Sequence, residues 1–426
     1  MQSLTLFVPE WSTFDDRVFP ALSRLRNVTH LTLDARRVRD CERVWGISPE
    51  NPQRYLSHID VSILSQLTSL VLELETPVRA SLRSAPLTLD RVTANRLSSL
   101  SVYHASVQRL ESLFSGAFPS LEEVVLRSKP PMHRSEDYDI LRLLPRTIKR
   151  LRLSLPLPSI DLRDFTQLKE VSLVDCLLNS VHLPDGVEVV DLSQNYLTVP
   201  PSGRSWIPAS VKRLKLDYNP LKTIQAHHLP AALVHFSAVG CEVAEIGDLR
   251  HCRDLKSIDL SANRFLSFNG SLLPPSTVDL RVTGKIGMNV TLDGVEELML
   301  RRLKIDSIAA LGHVDLSRAK QLEELTINTW RFQSLRLPRS LASIEDVGYL
   351  DLDACQQLTQ TMAALPKLAR LVLPQEITRQ MVLSIPDTVD TIYNLFGERL
   401  CLTRLKAHAR APRVFIIDTL HSPYLV

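Results

Sequence analysis

The chain has 426 residues, 44% of them hydrophobic and 23% charged, and its 50 Lys and Arg against 47 Asp and Glu leave a net charge of +3. That is the make-up of a folded protein with ample core material, and so even a balance argues against nucleic acid as partner, which calls for a basic excess or stripe. Only 13 glycines are present, too few for many phosphate-cradling loops; the six scattered cysteines contain no CxxC pair, which argues against a common zinc site or a disulfide framework.

Residues 1–25 open with a strand-like Ser3-Leu4-Thr-Leu6 and carry Trp11, Phe14 and Phe19. They are expected to form an N-terminal cap. They have no basic stretch ahead of a long apolar core, so no secretion leader is read there, and no run reaches the roughly 18 apolar residues of a membrane span. A cytoplasmic or otherwise intracellular protein is expected, with delivery into a host cell as a variant. Without a leader, the sequons at Asn27, Asn269 and Asn289 carry little weight.

Residues 26–145 hold irregular, long units. Strands are expected around Leu31 and Leu33, Leu70 and Leu72, Leu100 and Val102, and Val124 and Leu126. Three insertions separate them, at 34–60, 74–95 and 127–144, and short helices fit around Ser106–Phe114 and, farther on, Ile305–Leu311.

From 146 to 395 the units become regular. Leu168-Lys-Glu-Val171-Ser-Leu173-Val-Asp-Cys176, Val187-Glu-Val-Val190-Asp-Leu192-Ser-Gln-Asn195 and Val211-Lys-Arg-Leu214-Lys-Leu216-Asp-Tyr-Asn219 share one frame with the segments ending in Cys241 and Asn263. Their central residues, 171, 190, 214, 236 and 258, are spaced by 19, 24, 22 and 22. Further copies are read at Ile148–Leu153, Leu280–Val282, Val295–Leu300, Leu322–Ile327, Val347–Cys355, Leu368–Leu373 and Val389–Ile392, and Val414–Ile417 is read as the last strand. The alternating apolar pair makes a short strand with one face buried. No single turn can bury that face alone, so neighbours stabilise one another. The Asn or Cys closing each frame lies where the chain bends inward and can satisfy backbone groups of adjacent turns. A second frame, [L/I]-P-x-x-[V/I/L], precedes several strands, as in Leu183-Pro184 and Ile207-Pro208. Proline cannot continue a helix, so these turns are expected to be extended. Residues 396–426 complete the chain as a C-terminal cap.

The frame L-x-x-L-x-L-x-x-N/C resembles the leucine-rich-repeat superfamily over most of the chain. The proline-containing turns resemble the short repeats of bacterial effector proteins, and the long N-terminal turns those of F-box substrate receptors. The resemblance implies a single α/β repeat solenoid, a horseshoe with a parallel concave sheet and an irregular or short-helical convex side. It also implies protein recognition on the concave face, by a scaffold or, alternatively, by a substrate-recognition adaptor of a ubiquitin ligase.

No metalloprotease, P-loop, dinucleotide or nucleophile-elbow motif is present, and neither cofactor nor catalytic group is expected. His227-His228 are consecutive strand residues on this reading and face opposite ways. His133 beside Glu136, Asp137 and Asp139 reads as a solvated loop. The outward strand positions single out Arg150, Arg152, Asp191, Arg213, Lys215, Asp217, Asp259, Glu297 and Arg301 as candidate partner-binding residues. Their mixed charge suits a polypeptide better than a polyphosphate, which favours an unbroken basic track. The apolar ends leave self-association through a sheet edge as a further expectation.

Overall fold

In a computed structural model of the chain, the described residues are 3–7, 25–34, 58–74, 87–127, 140–199, 206–291, 297–307, 311–329, 332–346, 357–411 and 416–419, apart from gaps of one or two positions within those ranges. They fall into two compact units, Met1–Tyr196 and Leu197–Val426.

In the first unit, strands Ser3–Phe7, His30–Asp34, Ser69–Glu73, Ser99–Tyr103, Glu123–Arg127, Arg150–Ser154, Glu170–Leu173 and Val189–Asp191 pair in parallel, each with the next. The register is constant. Leu31, Leu70, Leu100, Val124, Leu151, Val171 and Val190 form one column, and each is at most 2% exposed. A one-residue slip would send every one of these side chains to the opposite face, so the apolar pattern pins the register.

The second unit repeats the scheme with Arg213–Lys215, His235–Ser237, Ser257–Asn269, Asp279–Thr291, Arg302–Ser307, Glu324–Asn328, Ser343–Asp346, Arg370–Val372 and Thr391–Tyr393. Opposite this main sheet runs an outer parallel ladder. It comprises His58–Ile59 with Thr88–Leu89, and Ser159–Asp161 with Ser180–His182, in the first unit. In the second it comprises Thr223–Ile224 with Glu245–Ile246, and the far ends of the two long strands followed by Leu311–Asp315 and Phe332–Arg336. The expected extended outer turns are therefore present, and the expected helix near 106 is Val107–Phe114.

Proline has a definite place in these turns. Pro145, Pro184, Pro208, Pro230, Pro274, Pro338 and Pro386 each accept a hydrogen bond from the N–H three residues on, at 3.1–3.3 Å. Each opens a single tight turn that buries the residue three on, apolar in every case but Thr277. Turns without proline use a different device, Asp-Leu-x-x-[Phe/Cys/Ala]-x-x-Leu, at Asp161–Leu168, Asp248–Leu255 and Asp315–Leu322. The aspartate accepts the N–H two residues on, and two successive tight turns follow, as in Phe165 N–H to Leu162 and Leu168 N–H to Phe165.

Four expectations are corrected. Val295–Leu300 does not supply a main-sheet strand. The strand is Arg302–Ser307, whose Leu303 and Ile305 pair with Leu280 and Val282. Pairing decides this: Leu303 stands between Leu280 and Leu325 in register, 23 and 22 residues from them. The expected helix at Ile305–Leu311 therefore gives way to the ends of two strands, Arg302–Ser307 and Leu311–Asp315. Ile416–Asp418 is not the last rung of the main sheet but pairs antiparallel with Glu376–Thr378. His227 and His228 lie in a 3-10 turn, Ala226–His228, with rings 4.1 Å apart, rather than in a strand.

The segment Val347–Cys355 lies outside the described residues; the strand of that turn is Ser343–Asp346, which begins two residues after the Pro338 turn closes on Leu341. His133 and most of the three insertions also lie outside them.

The last main-sheet strand is covered. Arg399 bridges Tyr393 in antiparallel fashion and Leu400 N–H donates to Ile392. Buried Asn394 ties the connection together, its Oδ1 accepting from Phe396 and Glu398 N–H at 3.0 and 2.9 Å. Residues following that strand thus pair with its edge.

Candidate partner-binding surface

Each unit is held from inside by its ladder residues. Asn195 Oδ1 accepts from Cys176 and Leu178 N–H at 3.1 and 3.0 Å, and its Nδ2 donates to Leu173 and Leu192 carbonyls at 2.7 and 2.9 Å. Asn263 repeats this with Cys241, Val243, Ala238 and Leu260. Cys176 and Cys241 occupy the same position of the repeat, one in each unit, and donate their thiols to Leu153 and Leu216 carbonyls. The residue before each ladder position, Asp175, Gln194, Tyr218, Gly240 or Ala262, has φ between 55° and 65°. The bend demands the left-handed region even of residues with a Cβ, and the ladder bonds hold it there.

Burial pushes the Cys176 thiol up to about 12 and those of Cys241 and Cys252 to about 11. His251 Nε2 lies 3.2 Å from Cys252 Sγ but also 3.1 Å from the Leu229 carbonyl. A thiol so far from ionising is a packing group, not a nucleophile. Cys401 is different: hydrogen bonds from Thr403 and the Arg404 backbone lower its pKa. Brief native iodoacetamide treatment should therefore label Cys401 and spare Cys176, Cys241 and Cys252, as read by peptide mass spectrometry; equal labelling would contradict the burial of the ladder.

The outward positions of the main sheet carry most of the candidate residues. Arg152, Arg213 and Lys215 are exposed and make no ion pair among the described residues. Arg150 reaches Glu123 at 3.6 Å. The candidate acids are engaged locally: Asp191 accepts from the Ser193 hydroxyl and N–H, and Asp217 from the Ser237 hydroxyl at 2.6 Å and Val239 N–H at 2.8 Å. Asp259 accepts from Ser261 N–H and pairs with Arg281 at 3.7 Å. Glu297 and Arg301 lie ahead of Arg302–Ser307, so they do not belong to the strand's outward face. In their place the structure sets Arg302 and Lys304 there. Cross-strand pairs that strand spacing alone did not reveal link Asp279 to Arg302 at 3.2 Å and Glu345 to Arg370 at 3.1 Å. Knowing which strands are neighbours was the missing signal.

Two outer turns hold unusually acidic carboxylates. Arg250 folds back on Asp248, donating from its side chain and its backbone N–H, and brings that carboxyl down to about 2; Arg163 does the same to Asp161. Because the folded pKa lies below the unfolded one, this stabilisation is present above the ordinary carboxylate range and is lost as pH falls through about 2. These groups are solvent-exposed, so the contribution is screened and small. Arg250→Gln should return Asp248 toward its ordinary value in a carboxyl NMR titration while leaving Asp161 unchanged.

Among the described residues no group of three His, Cys, Asp or Glu side chains is placed to hold a metal ion, and no helix is long and apolar enough to cross a membrane. A small, partly open space near Trp206, Leu221, His228 and Phe236 is walled mainly by apolar side chains.

No family model matches the sequence, and no curated protein matches it. Solved structures do. TLR13, determined in a TLR13-ssRNA13 complex, is 15% identical with a TM-score of 0.51 over 88% of this chain and 64% of that one. Toll, determined in a complex with Spatzle and assigned to Drosophila, is 13% identical with a TM-score of 0.50 over 89% of this chain and 51% of that one. This chain is thus shorter than either neighbour, spanning under two thirds of one and about half of the other. At these identities the likeness is one of fold.

Proposed function

We propose that this chain, which has the leucine-rich-repeat fold, is a protein-interaction module that reads a polypeptide across the outward face of its main sheet. One observation carries the reading. Within each unit, alternate strand positions bury an apolar column while their neighbours present charged and polar side chains on a hydrogen-bonded platform. Such a platform offers recognition with little ordering of its own, which favours binding. Along one register row of the second unit its charge changes sign through Asp279, Arg302 and Glu324, and after the neutral Ser343 becomes positive again at Arg370. A polypeptide can match that alternation, whereas a continuous polyanion would meet carboxylates. The fold neighbour solved with Spatzle supports a polypeptide ligand; the one solved with RNA supplies the competing outcome.

The test adds bulk to the face of each unit without touching a paired charge. Ser172→Arg and Thr326→Arg should each reduce the set of proteins that copurify with the tagged chain from its own cells, while His182→Arg on the outer ladder should not. Loss only in the outer variant, or no difference among the three, would overturn the reading. Ubiquitin-ligase subunits among the lost proteins would single out the adaptor role from that of a plain scaffold.

A further inference from the structure

We infer that the N-terminal end of the second unit's main sheet is a docking site for an acidic polypeptide segment, centred on Arg213, Lys215 and His235. The inference rests on the sheet-face reading above and gives it a partner chemistry.

Three observations converge. The first is placement. Arg213 and Lys215 are alternate residues of one strand, roughly 7 Å apart along it, and His235 is the register partner of Arg213 on the next strand, about 5 Å away. All three are exposed, and exposed Lys256 precedes the strand that follows. The second is the absence of local compensation. Farther along the second unit's face, arginines meet acids of the adjoining strand: Arg281 meets Asp259, Arg302 meets Asp279 and Arg370 meets Glu345. At Arg213 and Lys215 there is no such partner among the described residues. The nearest acid on that strand, Asp217, is turned to the Ser237 hydroxyl and the Val239 N–H. The third is that the positive field is felt. The imidazole of His235 is held below its ordinary pKa by partial burial and then by Arg213 and Lys256.

The chemistry of the ligand follows from size and boundary. An extended peptide repeats its same-face side chains about every 7 Å, the spacing of Arg213 and Lys215. Two or three carboxylates at that spacing would satisfy the cluster. A nucleic acid carries charge far more densely and would run on to the strands of Asp259 and Asp279. A short acidic stretch fits where a long polyanion does not.

The full-length chain should bind a fluorescein-labelled dodecapeptide of alternating glutamate and serine, followed by anisotropy, and should not bind the glutamine–serine analogue. Binding should weaken as salt rises. Affinity should fall by about tenfold or more in Arg213→Glu/Lys215→Glu, and also in the milder Arg213→Gln/Lys215→Gln should the first variant not fold. It should be unchanged in Arg264→Gln, whose guanidinium pairs with Glu242 on a bend after a strand. Equal affinity in all variants overturns the inference, and so does tighter binding of a labelled oligouridylate with the same residue dependence. Should the peptide fail while Ser172→Arg or Thr326→Arg still loses partners, this inference alone falls and the sheet-face reading stands.

Discussion

Asn195→Ala is expected to lower the unfolding free energy by about 3 kcal/mol, and Asn263→Ala by a similar amount, read as a fall in the urea midpoint of circular dichroism. Each amide sits almost wholly out of solvent, at 4% and 7% exposure. Each serves two backbone N–H groups and at least two backbone carbonyls, some belonging to the preceding turn. Truncation leaves those groups buried without partners, at roughly 1–3 kcal/mol for each such loss before relaxation and water entry recover part of it. It also releases Gln194 and Ala262 from left-handed geometry that the bend alone does not favour. An aspartate in place of Asn195 should be at least as damaging. It keeps the acceptor but loses both donated bonds and buries a charge. The control is Asn269→Ala, an exposed cap of a single short turn that should cost about 1 kcal/mol or less. Midpoints of both ladder variants within error of wild type would refute the ladder.

The second large effect is expected at Phe165. Phe165→Ala should destabilise the protein by about 3–5 kcal/mol, by the same measurement. The ring is fully buried and carries the Arg146 guanidinium 4.3 Å above its face, so truncation removes aromatic area, one cation–π contact and leaves a cavity. The equivalent position of the same turn device is Cys252 in one turn and Ala319 in another. Cys252→Ala should accordingly cost no more than about 1 kcal/mol, because that turn is packed around a small residue. Similar losses at both positions would mean that the device itself, and not the fit around each side chain, sets the energetics.

These two sites differ in how far they could be read beforehand. Asn195, Asn219 and Asn263 recur at fixed distances from an apolar pair, and a side chain repeated in that place has one physical use, serving the backbone of a bend. Phe165 belongs to the Asp-Leu-x-x-[Phe/Cys/Ala]-x-x-Leu device, whose variable position conceals it among ordinary apolar residues. The shift of the strand from Val295–Leu300 to Arg302–Ser307 has the same origin. Both stretches show the alternation of a strand, and only pairing against Leu280 and Leu325 chooses between them.

The sequence by itself determined the repeat, the strand faces through most of the chain, the ladder and the extended proline turns, because each follows from local period and from backbone groups that must be satisfied close by. Tertiary structure alone decided which charges are neighbours, as with Asp279 and Arg302, which acids are turned to the backbone, as with Asp217, and how the final strand is covered. Those contacts join residues about a turn apart in the chain, depend on where a bend leaves a carboxylate, or, at the final strand, on how the following residues fold back to its edge. Their energies are set by register and burial, which exist only once the turns have stacked.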